Sequence, residues 1–222
     1  MNLIIKLSRE IDPRIEYQLF ENLISEFNAV GDLIMSEVFM PLLGESKVEA
    51  CVVLAKQAER DAWAGSHDGK PAMFFNLEKW PEERVKSKFV AVMKHEMTHL
   101  LLGMVLKNPE RADYAGRLEH IVLNEGLAHF MGRYTSVENL TTRRSEKYEM
   151  ARKQLSHAFD RLTDPLITIE EAEEILRKSA AGSYWDKFGA IAGMFRAAYT
   201  YQSCGARGLI DSILSNKLPD HD

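Results

Sequence analysis

Five consecutive residues, His95-Glu96-Met97-Thr98-His99, constrain this chain more than any other feature it carries. Side chains four positions apart lie on one face of an α-helix. If the string is helical, both imidazoles point the same way and can share one cation. Glu96 then stands beside the first imidazole, able to reach a water there without itself binding the metal. The flanking sequence supplies the helix. Residues 81–106 carry apolar side chains at Val85, Phe89, Val92, Met93, Leu100 and Met104 with no proline inside, and Asn108-Pro109 ends the element.

The rest of the chain reads as α+β. In the first half, residues 3–7, 48–55 and 72–77 are strand candidates. Asp12-Pro13 has the form of a helix start, followed by apolar residues at spacing four (Ile15, Leu19, Leu23, Phe27). Gly31 is not a firm stop there, because apolar content continues to Pro41. Residues 65–71 read as a loop on composition, a flexible connector that could also form a lip bearing His67. The second half reads as almost wholly helical: 118–134, then 141–162 up to Asp164-Pro165, then a helix opened by the capping pattern Thr168-Ile-Glu-Glu171. A glycine-spotted segment over 182–208 and a short helix over 209–214 follow. Gly189, Gly193, Gly205 and Gly208 read as sites of close helix packing, as does Gly103. The expectation is a single domain over 1–222, with an α/β lobe over 1–108 that holds the active helix and a helical lobe over 109–222.

A catalytic zinc site uses three protein ligands and one open position. Downstream, Val122-Leu-Asn-Glu-Gly-Leu-Ala-His129 offers Glu125 on a second helix, and His129, four residues on, shares its face. Either could complete the site, whereas Glu119 and His120 lie off that face. HExxH followed by a helical Asn-Glu-Gly-Leu-Ala resembles the gluzincin clan of zinc metallopeptidases, which includes thermolysin-like and aminopeptidase-like enzymes and many bacterial zinc proteases. The resemblance spans roughly residues 85–135. It implies a zincin-like fold with a small N-terminal sheet and a mainly helical C-terminal lobe. It also implies Zn²⁺ held by His95, His99 and Glu125, with Glu96 as general base. The chain departs from the clan at His129, where the thermolysin-like pattern has an acidic residue. Glu125 follows His99 by 26 positions, a longer connection than in the tightest members, and no Gly-Ala-Met-Glu-Asn string is present. No exopeptidase assignment is carried over.

The expected function is hydrolysis of a peptide or protein substrate, with action on a non-peptide amide or a non-catalytic binding role as the alternative. An oxyanion donor is expected from the C-terminal part. Tyr184 is the choice among Tyr184, His157, Tyr199 and Tyr201, because it opens a helix after a glycine. The substrate is expected to lie beside a strand edge, with residues 73–77 as the candidate edge. The chain has a net charge of -5 and no long basic run, the short Arg143-Arg144 pair reading as a solvated helix face, so nucleic acid is not an expected partner. No stretch approaches a membrane span, and the N-terminal apolar run is too short for a signal-peptide core. Two distant cysteines, Cys51 and Cys204, make neither a disulfide framework nor a thiolate zinc site. A cytoplasmic location is expected; the oligomeric state is not readable.

Overall fold

A computed structural model of the chain describes residues 2–8, 17–44, 47–55, 59–106, 113–133 and 146–220. The helix start at Asp12-Pro13, the stop at Asn108-Pro109 and the Arg143-Arg144 pair lie outside the described residues. The chain is α+β, mostly helical, and divides into two units, Met1–Met104 and Val105–Asp222.

In the first unit, four strands form one sheet in the order β1-β2-β4-β3: β1 (Asn2–Ser8), β2 (Lys47–Ala55), β3 (Ala62–His67) and β4 (Lys70–Asn76). β1 and β4 flank β2 in parallel, and β3 runs antiparallel to β4. Val52 pairs with Met73 and Leu54 with Phe75, and paired residues share a face. All four are fully buried, so this face is the core side. The stretch over 65–71 is therefore not a loop. Asp68 (φ 50°) and Gly69 (φ 73°) both lie in the left-handed region, which makes them the two-residue turn of a hairpin closed by His67 and Lys70. The substrate-edge expectation is corrected too: β4 is paired on both sides, and the edge strands are β1 and β3.

Helices α1 (Tyr17–Val30) and α2 (Leu33–Leu43) connect β1 to β2. The apolar content past residue 31 continues in a second helix, because Gly31 takes φ 70° and breaks the first. Asp32 restarts the chain as an N-cap, its Oδ1 accepting from Met35 N at 2.9 Å. Helix α3 (Glu82–Val105) carries the His95–His99 string in its second half. An aromatic cluster seats it: Phe89 lies 4.7 Å from Phe75 of the sheet and 5.1 Å, edge-on, from Phe20 of α1, centroid to centroid. Its start is fixed by Trp80, whose indole N–H donates to Asp61 O at 2.9 Å, and by Arg84 over the Trp80 ring. Burial opposes ionisation of Asp61, but Arg84 and Lys79 outweigh it and hold the carboxyl below the usual range. Farther along, Lys94 Nζ meets Asp32 Oδ2 at 2.6 Å, so one carboxylate both caps α2 and grips α3 next to His95.

The second unit is helical: α4 (Tyr114–Arg133), α5 (Glu146–Leu162), α6 (Ile169–Ala180) and α7 (Phe188–Ser215). Helix α6 begins as its capping pattern predicts, with Thr168 accepting from Glu171 N. The short helix expected over 209–214 is the end of the long α7, which kinks at Gly205 (φ 60°). Four of the glycines, Gly126, Gly189, Gly193 and Gly208, are packing positions. A Cβ on Gly126 would stand 2.5 Å from the Gly193 backbone, one on Gly189 3.0 Å from Ser179, and one on Gly208 2.7 Å from Cys204. Gly126 and Gly193 thus let α4 and α7 cross backbone to backbone. Gly103 and Gly205 differ from the expectation: a Cβ at either position would meet nothing within 4 Å. No described helix is long and apolar enough to cross a membrane.

These contacts set measurable stabilities. Gly126→Ala or Gly193→Ala should cost at least about 2 kcal/mol in denaturant unfolding, the scale of an overpacked core. Gly103→Ala should instead stabilise by roughly 0.5–1 kcal/mol, the helix-propensity gain of alanine over glycine. Asp32→Ala should lose about 2–3 kcal/mol from cap and ion pair together, whereas Asp32→Asn, which keeps the cap, should lose only part of it. No loss in Asp32→Asn would show that the ion pair contributes nothing, and equal losses for the two variants that the cap contributes nothing.

Candidate metal centre

Helix α3 delivers what its spacing predicts. His95 and His99 lie one turn apart with Nε2 atoms 3.1 Å from one another and rings nearly perpendicular, at 84°. Both are half-buried. Two tetrahedral zinc–imidazole bonds of about 2.05 Å would put the nitrogens roughly 3.3 Å apart. The observed separation therefore matches a pair that shares one cation. Without a cation it requires one Nε2 to carry a proton toward the other.

The residues between the histidines turn inward. Glu96 is only 7% exposed, and Met97 and Thr98 are fully buried. Thr98 Oγ1 donates to Lys94 O at 2.8 Å, which satisfies its hydroxyl within the helix. A buried carboxyl is costly unless a positive group or hydrogen-bond donors meet it. A cation held by the neighbouring histidines would answer that cost.

In the second unit, Glu125 is half-buried on α4, immediately before the Gly126 crossing point. Because the two backbones nearly touch there, the rotation of α4 about its axis has little freedom, and so has the direction in which Glu125 projects. With His95 and His99 it makes a group of three donors that could hold a metal ion. His129, the alternative third ligand, is not in that group. It is buried one turn after Glu125, with its ring stacked on Tyr184 at 5.2 Å and 26°.

Tyr184 opens a short 3₁₀ helix, Tyr184–Asp186, ahead of α7. Its hydroxyl donates to Met194 Sδ at 3.4 Å, and Trp185 packs edge-on to its ring at 5.0 Å. Among the other residues weighed for that role, Tyr199 packs on Tyr148 and Tyr201 on Phe130, while His157 is exposed. His120 is half-buried against Asn216, at 3.3 Å, and burial pushes its pKa down despite that contact. Burial likewise raises the Cys51 thiol, which is half-buried over Pro71 O.

Two features near the site escape sequence reading. The Asp32–Lys94 pair joins residues far apart in the chain, and no local pattern announces it. The His129–Tyr184 stack has a partial signal in the i,i+4 relation of His129 to Glu125, but its partner depends on tertiary packing.

No curated protein and no solved structure matches the chain. A family model does: the one described as "Putative zinc dependent peptidase (DUF5700)" covers residues 46–217, a span that takes in both the His95–His99 string and Glu125. With more than half of its length matched, the chain belongs to this family.

Proposed function

We propose that the chain is a zinc metallopeptidase of gluzincin type, a single zincin-like catalytic domain in which His95, His99 and Glu125 hold the ion and Glu96 is the general base. The observation that carries this reading is the 3.1 Å approach of the two imidazole Nε2 atoms across one helical turn. The donor set fits as well. Two imidazoles and one carboxylate are the hard-to-borderline ligands that zinc accepts, and three of them leave a coordination position open.

Zinc so held supplies a Lewis acid that lowers the pKa of water to about 7 and polarises a carbonyl oxygen. The chain's own residues do the remainder. Glu96 accepts the proton of the attacking water and passes it to the leaving amine, which departs neutral. Tyr184, beside His129 and one turn from Glu125 on α4, is the proposed donor to the developing oxyanion. That role requires its hydroxyl to leave Met194, a weak sulfur acceptor that it can exchange at little cost.

The substrate is proposed to be a peptide in extended form. Strand β3 has one side paired with β4 and presents the other to an added strand. Its start is tied to the start of α3 through Asp61, Trp80 and Arg84. At about 1.5 Å per helical residue and 3.3 Å per strand residue, the helix from Arg84 to His95 and the strand from residue 62 to 67 run similar lengths, near 16 Å.

Three substitutions test the assignment. Glu96→Gln should retain about one zinc per chain by elemental analysis yet lose 10²- to 10⁴-fold in peptide cleavage, the range of a general base. His95→Ala and Glu125→Ala should lose both metal and activity. A Glu125→Ala variant that keeps full zinc occupancy would remove Glu125 from the ligand set. Cleavage of a peptide library that survives a chelator would sink the metal mechanism itself, and zinc binding without any cleavage would leave a binding module.

A further inference from the structure

A cavity of about 350 Å³ lies within the helical unit between α4, α5, α7 and residues 217–220. It shares no residue with the His95, His99 and Glu125 group. The cavity is amphipathic: Val122, Leu155, Phe159 and Leu218 line it with carbon, and Arg152, Arg196 and Lys217 bring positive charge.

Arg196 is the unusual member. Its side chain is only 10% exposed, on a helix whose neighbouring residues are core. Nη2 donates to Asp220 Oδ1 at 2.8 Å. Nε–H, shut off from solvent, finds no acceptor among the described residues. A guanidinium has five donors, and burying it with one of them idle is costly. Moreover, its carboxylate partner is not a core residue. Asp220 is 56% exposed and lies beyond the end of α7.

The charges around the cavity identify what would fit. Arg152, Arg196 and Lys217 face Glu119, Asp160 and Asp220, so the lining is balanced. Lys217 is already taken by Glu119 at 2.9 Å, and Arg152 leans on Glu149. If Asp220 swings out, Arg196 loses one negative charge. A monocarboxylate replaces it one for one, and a phosphate dianion overshoots it. Taking roughly 30 Å³ for a water-sized group, the space admits about a dozen non-hydrogen atoms.

We infer that this cavity binds a small amphiphilic monocarboxylate, its anion on Arg196 in the position that Asp220 occupies, its apolar body against Leu155, Phe159 and Leu218. Asp220 acts as an internal competitor for the site. The inference is independent of the zinc reading.

The test is calorimetric titration of the full chain with octanoate, with circular dichroism as the check on folding. Saturable one-to-one binding is expected, at least tenfold tighter in Asp220→Asn, where the competing charge is gone. Binding should be lost in Arg196→Gln. It should also be lost in Ser156→Trp, an exposed position on the lining where the indole fills the space without entering the core. If Arg196→Gln fails to fold, Ser156→Trp decides. Neither 1-octanol nor inorganic phosphate should give saturable heat. The inference is overturned if octanoate fails to saturate Asp220→Asn, if Ser156→Trp binds as the parent does, or if 1-octanol binds equally well.

Discussion

The pitch of one α-helix underlies everything proposed for this protein. At 3.6 residues per turn, positions 95 and 99 differ by little more than one revolution, and their imidazole nitrogens arrive 3.1 Å apart. The same pitch turns Glu96 about 100° away from His95, toward the buried side of α3. A helix sets these directions only if it cannot roll. Three contacts of different kinds prevent that in the first unit. The Phe20, Phe75 and Phe89 cluster fixes the depth of α3 on the sheet, Trp80 and Arg84 fix its start on Asp61, and Lys94 on Asp32 fixes its rotation next to the histidines. The ion pair is the most local of the three, and both of its side chains are largely withdrawn from water, where charge pairing is least screened.

The second unit solves the same problem with shape in place of charge. Glu125 is followed directly by Gly126, and Gly126 meets Gly193 so closely that neither can carry a methyl group. A crossing of this kind fixes both the distance between α4 and α7 and the rotation of α4. The glycine after the glutamate therefore acts on the direction of the glutamate. His129, a turn later, is held by a second device, the stack on Tyr184. A histidine whose ring is packed face to face with another ring is poorly free to swing toward a metal, which accounts for its absence from the donor group.

Local signals make much of this legible in the sequence. Periodicity marks α3 to within a residue or two, the capping pattern at Thr168 marks the start of α6, and the apolar runs mark β2 and β4. The paired histidines follow from helical spacing alone, whereas Glu125 needs the family resemblance. The misreadings share a cause, which is backbone conformation mistaken for composition. His67-Asp68-Gly69-Lys70 reads as a loop because its residues are polar, although Asp-Gly is also a tight hairpin turn signal, and that hairpin places β4 inside the sheet. Gly31 is passed over because apolar residues follow it, although its positive φ separates two helices. In α7 the glycines read as packing sites, which holds for Gly189, Gly193 and Gly208, whereas Gly205 kinks the helix. Identical letters carry opposite meanings there, and nothing local distinguishes them.

The buried charges connect stability with chemistry. Glu96 is nearly as buried as a core leucine, and Glu125 is half-buried. Carboxylates in such surroundings need hydrogen-bond donors or positive charge beside them. A divalent ion on His95, His99 and Glu125, with Glu96 adjacent, would bring the local sum of two negative and two positive charges to zero. The carboxylate that is hardest to bury is thus also the one that hydrolysis needs, and metal binding would serve both ends. The proposed monocarboxylate cavity applies the same rule in reverse, with Arg196 as the buried charge and an exchangeable anion as its partner.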